Sequence, residues 1–331
     1  MLLARLEGDF RVRRTNRTSS KKQTDNAAQN LYLEAYIMKK QTPSKTAERN
    51  AFARALESRR PEDIRVCYDP IAKYFMGTGF AFVFNHRLLL RVLWWISNRV
   101  RPGLGSFVIA RSRYMDDYLQ TCINNGLEQL VILGAGYDSR AYRFDELKKG
   151  INVFEVDHPA TQQVKMEKLK KIFGNLTDHV SFISIHFDRE KLPEKLFKNG
   201  YDKKLKTLFI WEGVTYYITA EAVDETLKFV ANNSGKGSSI IFDYLPPSVV
   251  DRSSKQDGSK AVRRLAKRSG EALSFGLEKE TIKAFLAQRG FCQVENVNST
   301  SFKGAYFKEI DRDRKMSNHF GVVHATVNPQ E

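Results

Sequence analysis

The sequence predicts an α/β protein built on a doubly wound parallel sheet. Three observations carry that reading. Short apolar, β-rich runs recur at "QLVILGAG", "INVFEVD", "HVSFISIHF", "TLFIWEGV" and "SSIIFDYL". Between them lie stretches of helical length, such as "HPATQQVKMEKLKKIF" and "TAEAVDETLKFVANN". The first run breaks into glycines at Gly134-Ala135-Gly136, where such a sheet turns from its first strand into a helix and places its ligands. Strands alternating with helices imply parallel strands covered on both faces, because every crossover lays a helix against the sheet.

Taken in order, residues 1–45 carry Arg11, Arg13, Arg14, Arg17, Lys21 and Lys22 among Thr, Ser, Asn and Gln. This composition predicts a mobile or loosely held basic arm with a short helix near "AAQNLYLEAYIMKK". "TPSKTAERNAFARALES" sets a Ser/Thr cap region before a helical pattern with Ala51, Phe52 and Leu56 on one face. "YDPIAKYF" opens another helix, and further helices are expected over 85–100 and from Phe107 to Asn125. Residues 46–127 thus read as a helical cap and 128–245 as the sheet. After "YLPP" comes a charged insertion, 246–275, placed to act as a lid. The helix "EKETIKAFLAQRG" and the late strands "FCQVENVNS" and "FGVVHATV" complete a single domain over 46–331, with about seven strands and no internal repeat.

At 331 residues the chain is long enough for a substantial core. Its three cysteines, Cys67, Cys122 and Cys292, are widely spread and form neither a disulfide framework nor a metal-ligand spacing, so a reducing cytoplasm is the expected location. The six histidines are scattered, and no metal is expected. "GFAFVFNHRLLLRVLWWI" is the most apolar stretch, but His86, Arg87 and Arg91 interrupt it, and it is too short and too charged to span a bilayer, so no membrane partner is expected. No signal peptide is read at the start. A net charge of +16 favours acidic partners such as nucleotides, nucleic acid, an anionic membrane or carboxylate substrates. A solvated lysine-rich surface accounts for the charge more simply, and no aromatic-plus-basic RNA-binding signature accompanies it.

Four strand-end features carry chemistry. "LGAGYDSRAYRF" lacks the third glycine of the dinucleotide fingerprint, so its GxG suits a nucleoside without a pyrophosphate; alone, it also fits a tight ligand-free turn. The second strand ends in "FEVDHP", placing Asp157 about 20 residues on, where an acid can take both ribose hydroxyls or simply cap the next helix. Glu212 follows four apolar residues in "LFIWEG", where a lone acid is costly unless a cation pairs with it. Ahead of the first strand, "FVIARSRYMDDYL" offers Arg111, Arg113, Asp116 and Asp117, and an arginine there could hold an α-carboxylate in bidentate fashion. Together these groups ask for a nucleoside joined to a zwitterionic amino acid, which is S-adenosylmethionine.

With these motifs the chain resembles class I S-adenosylmethionine-dependent methyltransferases of the leucine carboxyl methyltransferase family, in its bacterial branch. The resemblance runs from about Thr46 to Val327 and rests on "TAERNAFARALESRRPEDI", "YDPIAKYF", "ARSRYMDDYL", "VILGAGYDSRAYRF", "FEVDHPATQQVK", "FIWEGVTYYITAEAVDETLKFV" and "GFCQVENV" in that order. It implies a Rossmann-like sheet whose last strand is antiparallel, with S-adenosylmethionine as donor and S-adenosylhomocysteine as product. It implies that Arg111 holds the methionine carboxylate, that Gly134, Ala135 and Gly136 form the cofactor loop, that Asp157 takes the ribose, and that Glu212 lies near the methionine end. Arg54 corresponds to a basic N-terminal residue that also reaches the cofactor. The family often places an aspartate on the adenine amino group after the third strand. Here the stretch reads His186-Phe187-Asp188, so His186, a backbone group or Asp188 takes that role.

Methyl transfer from a sulfonium needs alignment of nucleophile, methyl and sulfur away from water, which can supply about 7–11 kcal/mol. A carboxylate nucleophile needs no general base, whereas a hydroxyl does. Tyr216, Tyr217 and Tyr244 are the candidates to shape an acceptor pocket, or they pack under the N-terminal helices. The expected acceptor is a carboxylate or hydroxyl of a small molecule or peptide. The alternatives are a modified RNA, or binding of the cofactor without turnover.

Overall fold

A computed structural model of the chain describes residues 43–77, 80, 84, 86–100, 102–186, 190–254, 258–307, 311 and 313–329. The expected basic arm lies outside them as far as residue 42, with its short helix, as do Phe187 and Asp188; its last residues, Ser44 and Lys45, instead cap and open the first helix. All elements below belong to Ser44–Glu331.

Seven strands form one sheet in the order β3-β2-β1-β4-β5-β7-β6. They are β1 (Gln129–Leu133), β2 (Asn152–Asp157), β3 (Val180–Ser184), β4 (Thr207–Trp211), β5 (Ser239–Tyr244), β6 (Phe291–Asn298) and β7 (Gly321–Val327). Pairings among β1 to β5 are parallel, and β7 runs antiparallel to both of its neighbours. The chain order reverses between β1 and β4, which is where a doubly wound sheet opens a crevice beyond its carboxyl edge.

Each face of the sheet is apolar because successive strand residues point to opposite sides. Leu130 and Ile132 of β1, Leu208 and Ile210 of β4 and Ile241 of β5 face one core; Val131, Leu133, Phe209, Trp211, Ile240 and Phe242 face the other. Helices α1 (Lys45–Glu57), α2 (Arg87–Val100), α3 (Leu104–Asn124), the single turn α4 (Arg140–Arg143) and α5 (Pro159–Phe173) precede β3. Ala51 and Ala55 of α1, Phe107 and Leu119 of α3 and Leu169 of α5 close the first core. After β3 come α6 (Leu192–Lys198), α7 (Ala220–Asn232), the short α8 (Pro247–Val250) and α9 (Ser259–Ser269), then α10 (Ile282–Ala287) and α11 (Ser299–Tyr306). Leu196 of α6, Val223 and Leu227 of α7 and Ile282 and Leu286 of α10 close the second core.

The caps follow the local sequence. Ser44 caps α1 by accepting from the Ala47 N–H, and Thr219 caps α7 by accepting from Ala222. The "YDPIAKYF" helix is a single 3-10 turn, Ala72–Phe75. Asp69 ends the reach of that segment by accepting from the Ile71 and Ala72 N–H groups, an Asx-type arrangement that favours a turn over a longer helix. The 246–275 insertion holds α8 and α9. No helix among the described residues is long and apolar enough to cross a membrane.

Candidate active site

The glycine turn after β1 is fixed by its surroundings. Gly134 and Gly136 have φ of +66° and +45°, in the left-handed region that penalises a β-carbon. A Cβ on Gly134 would stand 2.3 Å from Val214 Cγ2, and one on Gly136 would stand 3.0 Å from Ala47 Cβ. The groups that approach this backbone closely are therefore the β4–α7 loop and the cap helix α1. The Gly134 and Ala135 N–H groups donate to the Val156 carbonyl at 2.8 and 3.0 Å, tying the turn to the end of β2.

At that end, Asp157 accepts from the backbone N–H of Gly136 and, at 2.6 Å, from its own neighbour His158. Burial raises its carboxyl to about 6, against the pull of these N–H groups and of Lys165. Two N–H donors leave a carboxylate with acceptor capacity to spare, which fits a vicinal diol. Two residues back on the same face of β2, buried Glu155 pairs with buried Lys165 of α5, Oε2 to Nζ at 2.6 Å.

Beside these tips lies a buried charge network. Glu212 receives Arg111 Nε at 3.1 Å and Nη2 at 2.8 Å, the Ser112 hydroxyl at 3.2 Å, and Arg140 Nη1 at 2.8 Å. Arg111 Nη1 donates at 2.5 Å to Asp243, which also accepts from the Gly213 N–H at 2.6 Å and the Tyr216 hydroxyl at 3.2 Å. Arg140 further donates to Asp138 and, at 2.7 Å, to Asp116, which Arg143 reaches at 2.6 Å. Burial would push the Glu212 carboxyl up, but Arg111, Arg140 and Arg54 hold it well below the usual range. Burial wins at Asp243, whose carboxyl is pushed up despite Arg111.

This corrects two expectations. Glu212 is not a lone acid awaiting a cationic ligand, because Arg111 and Arg140 already pair with it. Arg111 is not a free fork, since all three of its nitrogens are taken by Glu212 and Asp243. Arg54 is likewise engaged, with Asp69 at 2.9 Å and the Tyr137 carbonyl at 2.7 Å, and so braces the turn just past Gly136. His186 packs edge-to-face on His158, with ring centroids 4.8 Å apart, across the tips of β2 and β3.

The three tyrosines separate. Tyr216 and Tyr217 pack together at 4.7 Å beside the network, and burial pushes both phenols above their ordinary value. Tyr244 does not join them. Strand alternation turns it to the opposite face from Asp243, where its hydroxyl donates to Asn296 Oδ1 at 3.0 Å.

Sequence reasoning missed Arg140, Asp138, Asp243 and Ser112, and it missed Glu271. Asp243 ends the apolar run "SSIIFD" and could have been found by the signal that singled out Glu212. Glu271, just after α9, accepts from Ser44 Oγ at 3.0 Å and Thr46 Oγ1 at 2.5 Å, so the insertion is clasped to the start of α1. Among the described residues no group of three or more His, Cys, Asp or Glu is placed to hold a metal.

A seven-stranded sheet of this order, with acids at the tips of β2 and β4, defines the Rossmann-like methyltransferase class. The fold matches the solved structure of a Thermobifida fusca YX protein described as a methyltransferase, with TM-score 0.52 and 13% identity over 78% of this chain and 94% of that one. The leucine carboxyl methyltransferase model matches residues 47–231. YktD of Bacillus subtilis (strain 168), named as an S-adenosyl-L-methionine-dependent methyltransferase, is 29% identical over 307 residues, 87% of this chain and 99% of that protein. A Streptomyces coelicolor protein so named, SCO7813, is 31% identical over 208 residues, 62% of this chain and 71% of its own length. The chain belongs to the leucine carboxyl methyltransferase family. It is an enzyme of the S-adenosylmethionine-dependent methyltransferase type.

Proposed function

We propose that the protein O-methylates a carboxylate of a small molecule or peptide, with the crevice beyond β1, β2 and β4 as the donor site. The cofactor supplies an already activated methyl group. Asp157 would take the ribose hydroxyls, the turn at Gly134 to Gly136 would line the nucleoside, and His186 would stand at the adenine edge. Arg111 and Glu212, already paired with each other, would border the amino-acid end and would hold it only by exchanging part of that pairing for the ligand's own charges.

The observation that carries the acceptor class is the state of the tyrosines. The Tyr216 hydroxyl donates a hydrogen bond to Asp243, and burial favours the neutral phenol at both Tyr216 and Tyr217. Neither serves as a base at neutral pH, and such a site suits a nucleophile that arrives ionised, as a carboxylate does. Their neutral rings shape and dry the pocket instead. The clasp of Glu271 on Ser44 and Thr46 supports a role for the 246–275 segment as a cover over the crevice.

The test uses radiolabelled donor with panels of carboxylic acids, phenols and amines. A methyl ester releases volatile methanol in mild base, whereas an ether or methylamine does not. Base-labile label on carboxylic acceptors supports the reading. Label that appears only on phenols or amines and survives base overturns it.

A further inference from the structure

Helix α2 is apolar on two sides, and the described residues cover only one. Inward, Leu90 is buried and Trp94 lies 4.7 Å beneath the Arg314 guanidinium and against Gly105. Outward, Leu88 is 75% exposed, Trp95 66% and Val92 52%, with Leu89 and Ile96 also exposed. Residues 88, 92, 95, 96 and 99 recur at helical spacing and form one stripe. Of the nine exposed large apolar side chains among the described residues, five stand on this helix, so the stripe is a patch and not ordinary scatter.

Its charge says what covers it. The helix sequence "RLLLRVLWWISNRV" contains three arginines and no acid, and exposed Arg99 continues the stripe at its carboxyl end. The chain as a whole carries +16. A second copy would oppose like charge to like, and nucleic acid offers nothing for Leu88, Val92 and Ile96 to pack on. An anionic lipid surface satisfies both halves. Acyl chains near the headgroups take Leu88 and Val92, a tryptophan sits well at that depth, and arginine meets phosphate. Fourteen residues at about 1.5 Å each make a helix that lies along an interface and does not cross it.

We propose that the outer face of α2 docks the enzyme on anionic membrane, with the helix in the plane of the headgroups. The test is co-sedimentation of the full chain with vesicles of phosphatidylcholine alone and of phosphatidylcholine mixed with phosphatidylglycerol. The wild type is expected to bind only the mixed vesicles. The variant Leu88→Ser/Val92→Ser/Trp95→Ser is expected to bind them at least tenfold more weakly, and Arg99→Gln about fivefold more weakly, the effect of one basic residue at such a surface. A milder check uses brominated lipid in the mixed vesicles. It should quench wild-type tryptophan fluorescence, and the conservative Trp95→Phe should lose that quenching while binding remains. Equal binding by the triple variant would assign attraction to charge elsewhere on the chain and overturn the proposal. So would absence of binding to mixed vesicles, or a wild-type dimer in sedimentation that the triple variant abolishes.

Discussion

Replacing Arg140 by methionine tests whether the buried network is a balanced structural unit. The guanidinium is fully buried and donates to Asp116, Asp138 and Glu212, with a longer contact of 3.4 Å to the Ser112 carbonyl. In the network Arg111, Arg140 and Arg143 face Glu212, Asp243, Asp116 and Asp138, three cations against four acids. Removing Arg140 leaves two against four. Glu212 retains Arg111 and Asp116 retains Arg143, but among the described residues no other guanidinium bonds Asp138. Deleting one partner of a buried ion pair costs about 3–5 kcal/mol, and the two retained partners place this case at the lower end, about 3 kcal/mol. Glu212→Gln moves the other way, to three against three. An amide oxygen can still accept from an arginine, so that change should cost about 1–2 kcal/mol. Urea unfolding followed by circular dichroism separates them. With an m-value of about 3 kcal/mol/M, Arg140→Met should lower the midpoint by about 1 M and Glu212→Gln by about 0.3–0.7 M. The reasoning fails if Arg140→Met unfolds with the wild type, or if Glu212→Gln is the more damaging of the two.

Three further outcomes are expected. Burial puts the Asp157 carboxyl at about 6, so it is neutral below that pH and ionised above it. If the ionised form holds the ribose, the calorimetric affinity for S-adenosylhomocysteine should fall about tenfold per pH unit below 6, and Asp157→Asn should be weak and flat across that range. The same raised value means that the folded chain takes up a proton between the ordinary carboxyl value of 3.8 and about 6, so this group's contribution to stability is present at low pH and is lost as pH rises through that window. Gly134→Ala meets both a φ of +66° and Val214 at 2.3 Å, and should cost more than the roughly 1–2 kcal/mol of the backbone term alone. Adding Val214→Ala should recover the steric part but not the backbone part, as read by thermal unfolding. Glu271→Ala removes the acceptor for Ser44 and Thr46 and should speed limited proteolysis within 246–275 while leaving the global unfolding free energy within about 0.5 kcal/mol of wild type.

The strand tips were legible because everything that marks them is local. An apolar run, its end, and the acid or glycine that follows lie within a few residues, and a parallel sheet brings all such ends to one edge. Asp157, Glu212 and the glycine turn stand at that edge for this reason. Their partners are a different matter. Arg111 meets Asp243 across 132 positions of sequence, and Arg140 meets Glu212 across 72. The pattern of α3 says that Arg111 lies on a helix ahead of β1, but not toward which carboxylate its fork points. Arg140 was visible only as the residue following Ser139 where a third glycine might have stood; inside a single buried turn it acts as a clamp on three acids. The misreading of Glu212 as unpaired follows from the same gap. A buried carboxylate does demand a cation, and the sequence shows the demand without showing that the protein itself supplies it. Tyr244 shows how little separates the two outcomes. It is one residue from Asp243, and a pleat with a period of two sends one side chain into the charge network and the other to Asn296 on the far face. The proposed donor site therefore has two layers with different origins. Strand ends set its outline, and a buried lattice of arginines drawn from α3 and the turn after β1 fixes its charge.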